Sequence, residues 1–148
     1  MWVWLKRVSL ALIVFLVLSQ VIRPSRINPP VDPRREINAT QPVELAVAAI
    51  FNRSCNDCHS NRTIWPWYSG VAPVSWLVAY DVRQGRRKLN FSDWDAHNTQ
   101  ENQKLLSEIC SEMSDGKMPG WGYSLLHQQA RLSAADVQAV CSWTRIAR

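Results

Sequence analysis

Residues 55–59 read CNDCH, and this short segment carries the most specific chemical pattern in the sequence. Cys55 and Cys58 are three positions apart, so both thiols lie on one side of a helical turn, and His59 follows directly. This is the spacing of c-type haem attachment, in which two thiols bond to the vinyl groups on one edge of the porphyrin and the adjacent imidazole ligates the iron. The sequence therefore predicts one covalent haem c per chain, with His59 as an axial ligand.

Two other kinds of site use a similar cysteine pair. A thioredoxin-like redox pair follows a βαβ pattern, which the sequence lacks. A zinc site needs a second, matching pair of ligands. The remaining cysteines, Cys110 and Cys141, lie too far apart along the chain to supply that pair. Haem attachment is therefore favoured over both alternatives.

The sixth coordination position of the iron has four candidate ligands, which are Met113, Met118, His97 and His127. We favour Met118, because the segment GKMPG removes it from any helix and leaves its thioether free to face a metal. Met113 belongs to a helical apolar stripe and is expected in the core. His97 lies in a polar stretch and is expected to be solvated or to cap a helix. His127, in SLLHQQA, remains the alternative ligand, and an open position remains a third outcome.

Aromatic residues and prolines follow the attachment motif, which is the segment CNDCH at residues 55–59. We expect these residues to cover the porphyrin and exclude water. They are Trp65, Trp67, Tyr68, Pro73 and Trp76. Core packing is the simpler explanation for some of them. The carbonyl of Pro73 is also a reasonable acceptor for the second ring nitrogen of His59. The basic run 86–88 is expected to form a solvated surface turn, with haem propionates or an acidic partner as the alternative.

The N-terminus has the pattern of an export segment or a membrane anchor. Residues 8–22 read VSLALIVFLVLSQVI and follow a pair of basic residues, Lys6 and Arg7. Because no A-x-A-like cleavage pattern follows, we predict a retained transmembrane helix over residues 1–22, with cleavage as the alternative. Four prolines in residues 23–39 predict an extended, semi-rigid tether outside the fold. The folded domain is then expected over residues 40–148.

Composition and charge limit the class of protein. A chain of 148 residues with 47% hydrophobic content is long enough for one compact domain. The formal net charge is +5, but four basic residues precede the first acidic one, and the remaining 13 basic residues nearly balance 12 acidic ones. A basic balance that comes from the flanks of an apolar segment points to a membrane and gives little support to nucleic-acid binding.

The elements that position the motif have helical periodicity. A first helix is predicted from Pro42 into the attachment motif, with Val43, Val47, Ile50 and Phe51 on one face. A second is predicted from Pro73 to Gly85, a third from Thr99 to Asp115, and a last one after the N-cap Ser133. No run of alternating residues predicts a strand. The predicted fold is all-α, a small c-type cytochrome-like helical domain around one haem.

Cys110 and Cys141 lie on or next to the apolar stripes of the third and last predicted helices. Export would place them in an oxidising compartment, where two buried thiols within reach tend to pair. Because the attachment motif uses the other two thiols, we predict a Cys110–Cys141 disulfide. Two separate core cysteines are the alternative.

The sequence resembles a known family over Cys55 to Trp143. The residues that carry the resemblance are CNDCHSNRTIWPWYSGVAPVSWLVAYDVRQGRRKLNFSDW, then KMPGWGYSLLHQQARLS and the late Trp143. This combination is similar to the single-haem "haem-binding domain" family of bacterial, membrane-tethered c-type cytochrome proteins. The resemblance implies covalent haem at Cys55 and Cys58, His59 as axial ligand, and a single-pass location in the inner membrane with the haem domain on the periplasmic side.

The leading functional hypothesis is one-electron transfer between redox partners, without enzymatic turnover. The expected partners are the membrane and a redox protein that the sequence does not identify, and no nucleic acid. A haem-based gas or redox sensor, or a ligand-binding module, is the alternative, and it requires an iron position that opens to small ligands. Peroxidase activity would also need a distal acid–base group, which the sequence does not show.

Overall fold

The computed structural model describes residues 1–147, which form helices joined by loops and by one longer segment between residues 19 and 37. The α-helices in chain order are α1 (Trp2–Ser19), α2 (Ile37–Thr40), α3 (Leu45–Ser54), α4 (Asn56–His59), α5 (Val74–Lys88), α6 (Thr99–Ser114), α7 (Trp121–Leu126) and α8 (Ala134–Ile146). Short 3-10 helices lie at Trp67–Gly70, Phe91–Ala96 and Gln128–Ala130. No strand occurs within residues 1–147, so the predicted all-helical class is confirmed for them.

The hydrophobic core lies directly behind the CNDCH segment, between α3, α6 and α8. The ring of Phe51 stacks on Phe91 at 4.7 Å and meets the edge of Trp143 at 5.4 Å. Met113 is buried in this core, as predicted from its helical stripe. Aromatic pairs of this kind contribute to stability beyond their buried area. Because α3 leads straight into Cys55, this core fixes the position of the attachment motif.

Capping residues that are close in sequence correctly predict where two of the helices begin. The helix α6 begins after Asn98, which forms a capping box with Glu101, and α8 begins after Ser133, which does the same with Asp136. Gly116 follows α6 with a φ of 68°, a left-handed conformation that suits glycine. The third and last predicted helices are therefore found close to their predicted bounds.

The prediction that the second helix ends at Gly85 is wrong, because α5 continues to Lys88. Gly85 serves a close helix contact instead of a helix end. A Cβ atom added at Gly85 would lie 2.5 Å from the carbonyl oxygen of Cys58, which is closer than real Cβ contacts. Only glycine lets α5 approach the attachment motif this closely. The basic run 86–88 is accordingly the last turn of a helix and not a surface turn.

A disulfide joins α6 to α8. It connects Cys110 and Cys141, whose Cα atoms are 4.8 Å apart. The covalent loop that it closes contains the segment around Met118 and the whole of α7. The helix α8 packs on both α3 and α6, and the disulfide links α8 to α6 covalently as well.

The proline-rich segment is extended, as predicted, but it does not lie outside the fold. Its backbone and side chains make hydrogen bonds along the domain, for example from Asn61 Nδ2 to the Pro30 carbonyl at 3.1 Å. Ile37 is buried in the hydrophobic core, so the folded part begins before Thr40. The prolines fix the local conformation, whereas the contacts come from distant residues that the local pattern does not reveal.

The helix α1 is long and apolar enough to cross a membrane. Its 18 residues have a mean hydropathy of 1.8, and 6% of them are buried in the protein. A signal sequence at the N-terminus has the same length and composition.

Candidate functional site

The CNDCH segment folds into a single turn. The helix α4 begins after Cys55, whose carbonyl accepts hydrogen bonds from the amides of Cys58 at 3.1 Å and His59 at 2.9 Å. Cys55 and Cys58 are free and half-buried. The turn therefore presents two free thiols and one imidazole from five consecutive residues.

The imidazole of His59 is held through one of its nitrogens. Its Nδ1 lies 3.1 Å from the carbonyl oxygen of Gly85 and 3.2 Å from that of Leu89. Both partners are acceptors, so Nδ1 carries the hydrogen and Nε2 carries the lone pair. Among residues 1–147, no hydrogen bond engages Nε2. A neutral imidazole oriented in this way is the form that ligates a metal.

The expectation that Pro73 supplies this carbonyl is wrong. The Pro73 carbonyl accepts a hydrogen bond from the amide of Trp76 at 3.1 Å. The C-terminal end of α5, and not its N-terminal end, lies beside His59. Carbonyls without a helical partner occur at the C-terminal end of a helix, and Leu89 provides one there.

Burial determines the protonation of the site. It raises the pKa of the Cys55 thiol to about 12, and burial together with the charge of Asp81 raises that of Cys58 to about 11. Burial lowers the pKa of His59. A thioredoxin-like redox pair needs a thiol of lowered pKa, so the environment argues against that alternative. Within residues 1–147, no group of three or more His, Cys, Asp or Glu side chains is arranged to hold a metal ion.

Arg86 holds the chain where it leaves the motif. Its guanidinium donates to the Ser60 carbonyl at 2.8 Å, to Thr63 Oγ1 at 2.7 Å and to Asn28 Oδ1 at 2.7 Å. Burial lowers the pKa of Arg86. This side chain is therefore part of the fold, while Arg87 and Lys88 are exposed.

The aromatic residues predicted to cover the porphyrin have different environments. Trp65 Nε1 donates to Asn28 Oδ1 at 3.0 Å, and Trp76 Nε1 donates to the Ile22 carbonyl at 2.8 Å. These two indoles thus bind the segment that leads to α1. The Trp67 side chain is 82% exposed.

A group of four polar side chains lies beside the CNDCH segment and consists of Asp57, Tyr68, Tyr123 and His127. The sequence analysis did not identify Asp57 and Tyr123 as site residues. Tyr123 donates to Asp57 Oδ2 at 2.7 Å, and its ring lies 4.2 Å from that of His127. The hydroxyl of Tyr68 lies 3.3 Å from His127 Nε2, while His127 Nδ1 is buried without a partner among residues 1–147. The sequence signals that could have indicated this group are the position of Asp57 inside the motif and the four-residue spacing of Tyr123 and His127.

The loop that contains Met118 is attached on both sides. The amide of Met118 donates to the Glu112 carbonyl at the end of α6, at 3.1 Å. On the other side, α7 begins after Gly120, and its Tyr123 bonds to Asp57 in the attachment motif. The Met118 side chain is 43% exposed and takes no part in the core. The loop that contains Met118 is thus connected to the CNDCH segment through α7.

The residues at the site fit a large, flat, apolar cofactor bonded to the motif. Leu77 and Asp81 precede Gly85 by eight and four positions, so they share the face of α5 that meets Cys58. Leu77 is 61% exposed, and an apolar group bonded at Cys58 would cover surface of this kind. Two free thiols and an imidazole with a free Nε2 are the groups that a c-type haem site requires, two for attachment and one for ligation of the iron.

A family model described as "Haem-binding domain" matches residues 14–146. The chain belongs to the haem-binding domain family. The match confirms the resemblance seen in the sequence, and it establishes haem as the ligand of this helical domain. No curated protein and no solved structure matches the chain significantly. The matched region includes the last third of α1, residues 14–19, and the extended segment after it.

Proposed function

We propose that this haem-binding protein is a membrane-anchored, single-haem c-type cytochrome that passes one electron at a time between redox partners on the periplasmic side of the inner membrane. The observation that carries the proposal is the CNDCH turn, in which His59 Nδ1 is engaged by two carbonyls and Nε2 is left for a metal. When bound, haem supplies the one-electron couple between ferric and ferrous iron.

The residues of the turn have separate tasks in this proposal. Cys55 and Cys58 would fix the haem edge through thioether bonds, and His59 Nε2 would ligate the iron. The carbonyls of Gly85 and Leu89 hold the imidazole plane and raise its basicity, because a ligating histidine becomes a better donor when its second nitrogen donates a hydrogen bond. A rigid ligand set lowers the rearrangement that each electron transfer requires.

Acid extraction tests covalent attachment. Acidified organic solvent should remove no haem from the wild-type protein, and should remove any residual haem from the variant Cys55→Ala/Cys58→Ala. The variant Cys110→Ala/Cys141→Ala is the matched control, since it also loses two cysteines and should keep its haem. Release of haem from the wild type would contradict covalent attachment.

Met118 is the proposed second ligand, with His127 as the alternative. Methionine ligation gives ferric haem a weak charge-transfer band near the red edge of the visible spectrum. This band should disappear in Met118→Ala and persist in His127→Ala. The reduction potential of Met118→Ala should also fall, because the soft thioether favours ferrous iron. The opposite pattern in the two variants would assign the ligand to His127.

A haem-based gas sensor or ligand-binding module is the second candidate function. Met118 lies in a short loop between α6 and α7 and outside the core, and a ligand on such a loop is more easily displaced than one held in the core. Rapid CO binding by the reduced protein at neutral pH supports the sensor, whereas a closed six-coordinate spectrum supports the electron carrier. We propose no enzymatic turnover for either function.

The retained anchor has a direct test. The intact mass of the protein from the membrane fraction should include residues from Met1 or Trp2 onward, because the apolar segment lacks a convincing cleavage site. A freely soluble mature protein that begins near Gln20 would contradict the anchor. Identification of a membrane complex that co-purifies with the protein would name the redox partner.

A further inference from the structure

The end of α1 is bonded to the haem-binding domain through Gln20. The Gln20 side chain donates from Nε2 to the Ala72 carbonyl at 3.0 Å, and its Oε1 accepts from the Ala72 amide at 3.0 Å. Two residues later, the Ile22 carbonyl accepts the hydrogen bond from Trp76 Nε1. The end of the apolar helix and the start of α5 are therefore fixed to each other.

The chain that follows stays on the domain surface, and we call residues 20–35 the strap. Asn28 is its central contact, because its Nδ2 donates to the Thr63 carbonyl at 2.9 Å while its Oδ1 accepts from Trp65 and Arg86. Arg86 also bonds to the carbonyl of Ser60, the residue after the haem ligand His59. The strap and the haem-ligating turn thus share one arginine.

The far end of the strap is fixed as well. Arg35 pairs with Asp93 and Asp95, and its carbonyl accepts from the Trp94 amide at 2.9 Å. The contacts are spread over both ends and the middle of the strap, so they restrict rotation of the domain as well as its distance from α1. A flexible tether would restrict neither.

An apolar surface surrounds the point where α1 meets the domain. Val21 and Ile22 are exposed, and Val71, next to Ala72, is 46% exposed. This surface is continuous with the apolar helix through the Gln20–Ala72 contact. Lipid at the membrane interface would cover such residues, and the indole of Trp76 is of the type enriched at that depth.

We propose that the haem-binding domain docks on the lipid surface beside α1 in one fixed orientation, held there by the strap. This inference rests on the proposed function, since it requires α1 to cross the membrane. A haem held at a constant height and angle fits a redox partner embedded in the same membrane better than a soluble carrier. The family match begins at residue 14, so the strap lies within the matched region.

Polarised absorption of the full-length holoprotein in oriented bilayers of phosphatidylethanolamine and phosphatidylglycerol tests the proposal. The haem absorption of the wild type should depend strongly on the angle between the bilayer and the polarisation. The variant Gln20→Ala/Asn28→Ala should lose at least half of this dependence, with an unchanged haem content and helical circular dichroism. The control Asn38→Ala/Gln103→Ala should resemble the wild type, because those side chains are exposed.

Trypsin cleavage after Arg26 gives a second readout that does not require haem. In vesicles the wild type should resist cleavage there, and the strap variant should be cleaved at least tenfold faster. An isotropic wild-type signal, or equal cleavage of the two proteins, overturns the docking proposal while covalent haem and the anchor still stand. Loss of the protein from the vesicles would contradict the membrane anchor and, with it, this proposal. The intact mass of the lost protein then shows whether α1 was cleaved off or failed to insert.

Discussion

The hydrogen bond between Tyr123 and Asp57 is the most informative contact to remove. It joins α7, which directly follows the Met118 loop, to the turn that carries the haem-binding residues. The substitution Tyr123→Phe removes the hydroxyl and keeps the ring beside His127. Under the proposed ligation by Met118, we expect the loop to leave the iron more often in this variant, because one of its two attachments is lost.

The expected increase in the open fraction of the loop can be estimated from the free energy of this hydrogen bond. A hydrogen bond to a charged group contributes about 1.5 to 3 kcal/mol, and because Tyr123 is half-buried we take the lower part of that range, about 1.5 to 2 kcal/mol. If the whole of this energy favours the closed loop, the open fraction rises by a factor of about 10 to 30. Burial and the Asp57 carboxylate raise the pKa of Tyr123. The phenol therefore stays protonated and continues to donate up to about pH 10.

The rate of CO binding to the reduced protein measures the open fraction. It should increase about 10- to 30-fold in Tyr123→Phe at neutral pH, and the charge-transfer band of the oxidised protein should weaken. Tyr68→Phe is the matched control, since it also removes one phenol hydroxyl but leaves the Asp57 contact intact. A CO rate within twofold of wild type, or an equal increase in both variants, would show that this bond does not hold the loop.

Three further predictions concern the framework of the site. Gly85→Ala should strongly reduce haem incorporation, because its Cβ meets a backbone oxygen, whereas Gly122→Ala, which has open space around it, should incorporate haem normally; haem absorbance per mole of protein measures both. Asp136→Asn should lower the free energy of unfolding at pH 7 by about 0.5 to 1 kcal/mol. The hydrogen bond from the Ser133 amide at the start of α8 lowers the pKa of this carboxyl. Its contribution to stability is therefore present above the ordinary pKa of about 4 and is lost as the pH falls through the lowered pKa, so the urea curves of variant and wild type should converge in strong acid. Replacing both Cys110 and Cys141 by Ala should lower the stability by about 3 to 4 kcal/mol, and the denatured wild type should label at these two positions only after reduction.

Features that depend on neighbouring residues could be predicted from the sequence. The turn that contains Cys55, Cys58 and His59 follows from five consecutive positions. The starts of α6 and α8 follow from capping residues within three positions of each other. The buried position of Met113 follows from helical periodicity alone. Each of these structures is determined by residues that are close in sequence, so it depends little on tertiary packing.

Features that depend on packing between distant segments could not be predicted. A glycine such as Gly85 is a good local signal for a helix end, and only the contact with Cys58 shows why α5 passes through it. The acceptor for His59 depends on which end of α5 lies beside α4. The Tyr123–Asp57 bond connects residues 66 positions apart. In each case the deciding partner has no fixed spacing in the sequence.

The disulfide between Cys110 and Cys141 makes the lifetime of this chain depend on its location. In a reducing compartment the two thiols stay unpaired, and α6 and α8 are held together by packing alone. The fraction of unfolded chains is then larger, and intracellular proteases act on that fraction. Under the proposed periplasmic location, a copy that stays in the reducing cytoplasm would therefore be degraded faster than an exported one, and the bond that closes the loop around Met118 would also select for delivered copies.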